Sequence, residues 1–241
     1  MITRRAFCWI GLGAVLFSAG CGGTGTSSVL PPDPELMFFN VSPDSTPTSF
    51  FLDDVEVKTG QTYLEPPTPF LGVTPGDQDM SIAPSAGGDT TWAEAVFLER
   101  DKSYLIVAFG LQNFGGEPLK RQRIAILQTS RTSPNNSARL IVLHAYNRST
   151  GLATPTIDFQ NPGDNPEYKQ EAITFGNRAE IVVASGTYTF VARRTNTENE
   201  ITPQVTQNFE GGKIYLAVVS GIEDAVGVQA PKITFFEVPT R

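Results

Sequence analysis

Cysteine is almost missing from this chain. Its two cysteines, Cys8 and Cys21, both stand near the start, and none follows. No disulfide can therefore staple what lies beyond Cys21, and no thiolate metal site can form there. Histidine is scarcer still. The single one, His144, sits in the apolar run Leu140-Ile141-Val142-Leu143, and there is neither a His-x-x-x-His pair nor a Gly-x-Ser-x-Gly elbow. That leaves His144 to a core or strand-end position rather than a triad or a metal. A Gly-x-x-x-x-Gly-Lys phosphate loop is also missing. Positive charge is the minority, with 18 Lys and Arg against 25 Asp and Glu and a net charge of −7. Such a surface repels phosphate backbones and argues against nucleic acid as a partner. No segment sustains a 3.6-residue apolar period, which excludes amphipathic helices as the main building block.

What the chain does have is a stretch that occurs twice. Leu98-Glu99-Arg100-Asp101-Lys102-Ser103-Tyr104-Leu105 and the following apolar run to Gly110 return 111 positions later as Phe209-Glu210-Gly211-Gly212-Lys213-Ile214-Tyr215-Leu216 and the run to Gly221. Walking outward, Val73–Asp77 aligns with Val183–Thr187, Phe50–Leu52 with Ile157–Phe159, Leu36–Asn40 with Leu140–His144, and Ile124–Leu127 with Ile233–Phe236. The offset drifts by a few positions and never jumps, as expected of one module duplicated with small loop insertions. Copies of roughly a hundred residues are domain-sized and too long for solenoid repeats.

Residues 1–21 read as an export signal, with Arg4 and Arg5 ahead of an apolar stretch too short to span a bilayer. Ser18-Ala19-Gly20-Cys21 resembles the lipobox of bacterial lipoproteins, which implies lipidation of Cys21 and attachment to a membrane, while Thr3-Arg4-Arg5-Ala6-Phe7 is similar to the twin-arginine motif. The general and twin-arginine export routes both stay open. Gly22 after the cysteine resembles lipoproteins forwarded to an outer membrane, if the cell has two. Residues 22–35, rich in Gly, Ser, Thr and then Pro, read as a flexible tether averaging about 20 Å.

From Leu36 onward, short apolar or alternating runs are separated by Pro, Gly, Asn and Asp. Strands are expected over residues 36–41, 49–53, 78–83, 92–98, 103–109 and 123–128, and again over 140–145, 156–160, 179–183, 187–193, 204–209, 214–219 and 232–238. The pattern predicts an all-β chain of two tandem immunoglobulin-like β-sandwich modules, at 36–130 and 138–241, joined by a short linker around Ser130–Ser137.

Val183-Ala184-Ser185-Gly186-Thr187-Tyr188, Gly212-Lys213-Ile214-Tyr215 and Val142-Leu143-His144-Ala145 resemble the signature of a bacterial exported family known as "domain of unknown function 4397". The first copy's Asn40-Val41-Ser42-Pro43-Asp44 matches its Ser-Pro-Asp turn better than the second copy's His144-Ala145-Tyr146-Asn147-Arg148. The resemblance implies an extracytoplasmic β-sandwich, often tandem and membrane-attached, and carries no catalytic or cofactor residue with it. Physically, Gly76, Gly186, Gly110 and Gly221 are expected at turns or strand ends, and Tyr104 and Tyr215 are expected to tie their hydroxyls to nearby backbone.

The remaining candidates for chemistry are carboxylates and aromatics. Asp53-Asp54, Asp77-x-Asp79, Glu223-Asp224 and the loop Asn161-Pro162-Gly163-Asp164-Asn165 could supply oxygen ligands, but none has the spacing of a calcium loop. A glycosidase needs only two carboxylates across a cleft. Trp92, Phe114, Tyr146 and Tyr168 are the aromatics a carbohydrate-binding module would expose. With no catalytic constellation, the expectation is a non-enzymatic envelope lipoprotein that binds another protein or a glycan; a carbohydrate-binding module is the alternative, and a carboxylate hydrolase comes third.

Overall fold

The β-branched and aromatic runs between turn residues form strands throughout the computed structural model, which describes residues 30–149 and 152–241. The first half contributes β1 (Glu35–Asn40), β2 (Thr48–Leu52), β3 (Val55–Gln61), β4 (Leu71–Gly72), β5 (Gly76–Pro84), β6 (Trp92–Leu98), β7 (Ser103–Phe109) and β8 (Arg123–Thr129). The second contributes β9 (Ser137–Asn147), β10 (Ile157–Gln160), β11 (Lys169–Ile173), β12 (Arg178–Ala184), β13 (Gly186–Arg194), β14 (Val205–Phe209), β15 (Ile214–Ile222) and β16 (Lys232–Val238). The sheets run β4-β1-β7-β8 and β3-β2-β5-β6 in the first half, and β12-β9-β15-β16 and β11-β10-β13-β14 in the second. Adding eight to each strand number converts one half into the other, so the duplication is present strand for strand, as two tandem β-sandwiches of immunoglobulin-like type. Even the register is kept: the parallel pair β1–β7 sets Leu36 opposite Tyr104, and β9–β15 sets Leu140 opposite Tyr215.

Three strands were not anticipated. β3 and β11 are edge strands with mainly polar residues and few buried ones, and β4 is only Leu71–Gly72. Edge strands need little burial, so they leave little hydrophobic signal. The hairpin between β2 and β3 turns through Asp53 and Asp54, both at positive φ (47° and 62°), as a two-residue primed turn requires.

The two halves share a core. Side chains alternate between the two faces of a strand, and in the inner sheets both faces are covered. Leu36 and Phe38 face the first sandwich with Tyr104, Ile106 and Ala108, while Met37, Phe39, Val41, Leu105, Val107 and Phe109 face the second half. There they meet Ile141, Leu143, Ala145, Ile214, Leu216, Val218, Phe236 and Val238. The other faces of β9 and β15, with Leu140, Val142, Tyr215 and Val219, close the second sandwich. Sheets buried on both sides read as continuous rather than alternating apolar runs, which is what residues 103–109 and 214–219 show. The result is four sheets in a stack, forming one compact unit over Pro31–Arg241. Polar ties stitch the same seam: Tyr63 Oη and Ser220 Oγ lie 3.0 Å apart, and Gln229 donates to Pro43 O at 3.2 Å.

The end of the stretch expected to be tether is docked. Val73 N donates to Pro34 O at 2.9 Å, Asp101 N to Pro32 O at 2.8 Å, and Arg100 pairs with Asp33 at 2.5 Å. Prolines have no N–H to satisfy, but their carbonyls accept readily here. Arg4, Arg5, Cys21 and the rest of the export segment lie outside the described residues.

Candidate ligand-binding groove

The motif residues hold loops. Ser42 Oγ donates to Gly110 O at 2.8 Å, and the Asp44 carboxylate accepts from Gln112 N and Asn113 N, each at 2.8 Å. Asn40, fully buried, spends its side chain on Thr48 Oγ1 and Gln61 O. The Ser-Pro-Asp turn therefore clamps the chain leaving β1 to the chain leaving β7. Tyr104 Oη accepts from Glu99 N at 3.0 Å and Tyr215 Oη from Glu210 N at 3.3 Å, the corner expected of both. Gly110 and Gly221 have positive φ, and a Cβ there would lie 2.5 Å from Arg121 O or 2.6 Å from Ala230 O, which no side chain tolerates.

The aromatic candidates do not converge. Tyr146 is buried against the second core, and burial together with the Glu223 carboxylate pushes its phenol pKa up. Tyr168 packs edge-on to Tyr188 and accepts from Ala184 N, while half-buried Trp92 and Phe114 belong to the other half of the chain. The carboxylates are likewise dispersed. Asp53 caps Asp79 N at 2.8 Å, Asp77 and Asp79 point to solvent from β5, and Asn161 accepts from Tyr168 N across its loop while donating to Thr189 O of β13. Glu223 is bound by Arg148 (2.9 Å) and Arg194 (3.4 Å) rather than paired with Asp224. His144 is fully buried, its Nε2 is 2.8 Å from Pro155 O, and burial lowers its pKa to about 4. Among the described residues no three His, Cys, Asp or Glu side chains stand together as cation ligands.

The structure instead assembles a groove of about 710 Å³ at the seam, where the start of β7, the end of β8, the linker and β12 meet. Lys102, Arg131, Arg178 and Arg241 line it against only Asp101 and Glu180, with Ser103, Gln128 and Thr132 between them. Each arginine is positioned. Arg131 stacks over the Phe70 ring at 4.1 Å and pairs with Glu35; Arg241 also grips Glu35, at 2.8 Å, and reaches Asp101 at 3.1 Å. Burial opposes the charged form of Glu35, but the bonds and charges of Arg241 and Arg131 outweigh it and hold its carboxyl below the usual range. Arg178 donates to Gln128 O at 2.5 Å and lies 3.6 Å from Glu180. Lys102 makes no ion pair among the described residues. With Glu35 counted, four cations meet three carboxylates, so on a chain of net charge −7 this concavity carries a local excess of one positive charge. Its residues come from four distant segments, so no motif announces it; only the fold brings them together.

No family model matches the chain, and no curated protein matches it. Among solved structures, the Bacillus anthracis TIE protein is similar over 80% of this chain, with 12% identity and a TM-score of 0.27; this chain spans about a third of that one, at 34%. CBMbc (family CBM26) from Eubacterium rectale Amy13K, solved in complex with maltoheptaose, covers 85% of this chain and 97% of its own at 9% identity and a TM-score of 0.24. A streptococcal virulence factor that binds alpha-glucan covers 85% and 96% at 13% identity and a TM-score of 0.24.

Proposed function

We propose that this chain is a non-enzymatic binding module of the bacterial cell envelope, held to a membrane by lipid on Cys21, and that the cationic seam groove takes an acidic glycan. The supporting observation is the excess of arginine and lysine over acids in a seam concavity of an acidic protein. Guanidinium groups pair carboxylates and sulfates bidentately, and a groove of this volume suits a few sugar units. The two acids that line it are bonded by arginines, an arrangement for binding rather than for proton transfer. Among the described residues, the candidate aromatics Trp92, Phe114, Tyr146 and Tyr168 are scattered and at least half covered, so they form no common stacking platform for a neutral sugar chain. The resemblance of Val183–Tyr188 and Gly212–Tyr215 to an exported family is compatible with this reading.

Co-sedimentation with an insoluble polyuronate, compared with a neutral glucan, tests the groove. Saturable, salt-sensitive binding to the polyuronate, reduced at least tenfold in Lys102→Glu/Arg178→Glu, is expected. Equal retention on both polymers, or binding untouched by the double substitution, would refute it. Labelled palmitate should appear on the wild type and be missing from Cys21→Ala; equal label in both would remove the anchor.

A further inference from the structure

At another place along the seam, a second cavity of about 330 Å³ is walled by Leu119, Ala153, Phe175 and the methyl-bearing Thr154, Thr156 and Thr174, with the charged Glu117, Lys120 and Arg123 also at its wall. Two of its charged groups already satisfy each other. Lys120 is buried and already neutralised: its ammonium lies 2.8 Å from Glu117 and donates to Ser149 O at 2.8 Å. Arg123 is different. Its guanidinium lies 5.0 Å from the Phe109 ring centre and 5.2 Å from that of Phe175. Its Nη2 donates to Leu119 O at 3.2 Å, its Nε is buried without an acceptor, and no carboxylate of the described residues lies within ion-pair distance. Burial lowers its pKa, the mark of a cation short of compensation. Gly176 keeps this clamp in place, because a Cβ there would sit 2.6 Å from the Phe109 ring.

A half-buried cation without a counter-charge is costly unless something supplies one. Here it borders an apolar cavity whose rim carries Leu119 with 78% of its surface exposed. We propose that this cavity binds a small carboxylate with an apolar body, of the medium-chain fatty acid class, whose carboxylate pairs with Arg123 while its chain lies along Leu119, Ala153 and Phe175. The two ring contacts hold the guanidinium in one place, so little order has to be created on binding. The site is built from different residues than the glycan groove and does not depend on it. Its walls come from both halves, so an occupant would bridge them.

The test is calorimetric titration of the full chain with octanoate, kept monomeric, against 1-octanol as the uncharged ligand of equal length. One saturable octanoate site per chain is expected, with octanol and the Arg123→Met variant at least tenfold weaker. Because Arg123→Met could disturb the ring clamp, Ala153→Trp at an exposed wall position provides a second check: it should fill the cavity and abolish octanoate binding at an unchanged melting temperature. Absence of saturable heat would overturn the proposal. So would octanol matching octanoate, or full binding by either variant.

Discussion

The two halves solve one structural problem with different chemistry. Where the chain leaves its first strand and must be fixed to the chain leaving the seventh, the first half uses Asp44, whose carboxylate accepts two backbone N–H bonds from Gln112 and Asn113. The equivalent place in the second half holds Arg148, and the residue equivalent to Gln112 is Glu223, so the tie is an ion pair at 2.9 Å with Arg194 as a second partner. Asn40 becomes His144; both are buried, but one is neutral at any pH and the other is not. By contrast Gly110 and Gly221, and Tyr104 and Tyr215, stay the same. What survives duplication is what backbone geometry demands, and what drifts is which pair of groups makes the clamp.

The comparison breaks if the halves turn out to be independent. Because Phe39 and Leu216 lie in the shared core from opposite sides, truncating either should lower one common unfolding transition, by about 3–5 kcal/mol for Phe39→Ala and about 2–5 kcal/mol for Leu216→Ala. Calorimetry that resolved two transitions, with each substitution moving only one, would show two separate domains that merely touch.

The Asn40–His144 difference is sharpened by pH. The folded pKa of His144 is depressed to about 4 by burial, below its unfolded value near 6.5. Between these values the unfolded state binds a proton that the native state refuses, so stability is full above about pH 6.5 and falls as pH drops toward 4, by about 3 kcal/mol. Glu35 and Glu223, whose carboxyls are held low, contribute stability that is lost only below the ordinary carboxylate range. Denaturant melts from pH 7 to 4 should therefore show a slope that His144→Asn flattens. A slope unchanged in that variant would mean that other groups carry it.

The clamps themselves should differ in cost. Asp44→Ala strips charge-assisted bonds from two backbone donors and should lose about 1.5–3 kcal/mol. Arg148→Ala leaves Glu223 with Arg194 and should lose less, about 1 kcal/mol, falling further in high salt. Equal, salt-independent losses would show that the second clamp works through packing of the arginine stem.

Much of this was legible in the residues. The drifting offset, Leu36 aligned with Leu140 and Tyr104 with Tyr215, already encodes the strand pairing, because a duplicated strand must keep its face and partner. The unbroken apolar runs 103–109 and 214–219 imply two covered faces, yet nothing in them names what covers the second one. The groove was invisible for a related reason: Lys102, Arg131, Arg178 and Arg241 are unremarkable singly and meet only after four sheets have stacked. The aromatics behave as apolar residues usually do: Tyr146 is used for packing and Tyr168 for a backbone tie.

The smallest expected effect is the most direct check that the repeated stretch has one role in both halves. Tyr104 and Tyr215 each begin an inner strand, each face their own sandwich core, and each accept one bond from the N–H five residues upstream. Tyrosine to phenylalanine removes that acceptor and nothing else of the ring, so each substitution should cost about 1 kcal/mol. With 3.0 Å against 3.3 Å the first should cost slightly more. The sites share no partner, so the double variant should lose the sum of the two. A loss confined to one half would mean that duplication kept the residue while function of the corner drifted, as it did for the clamp beside it.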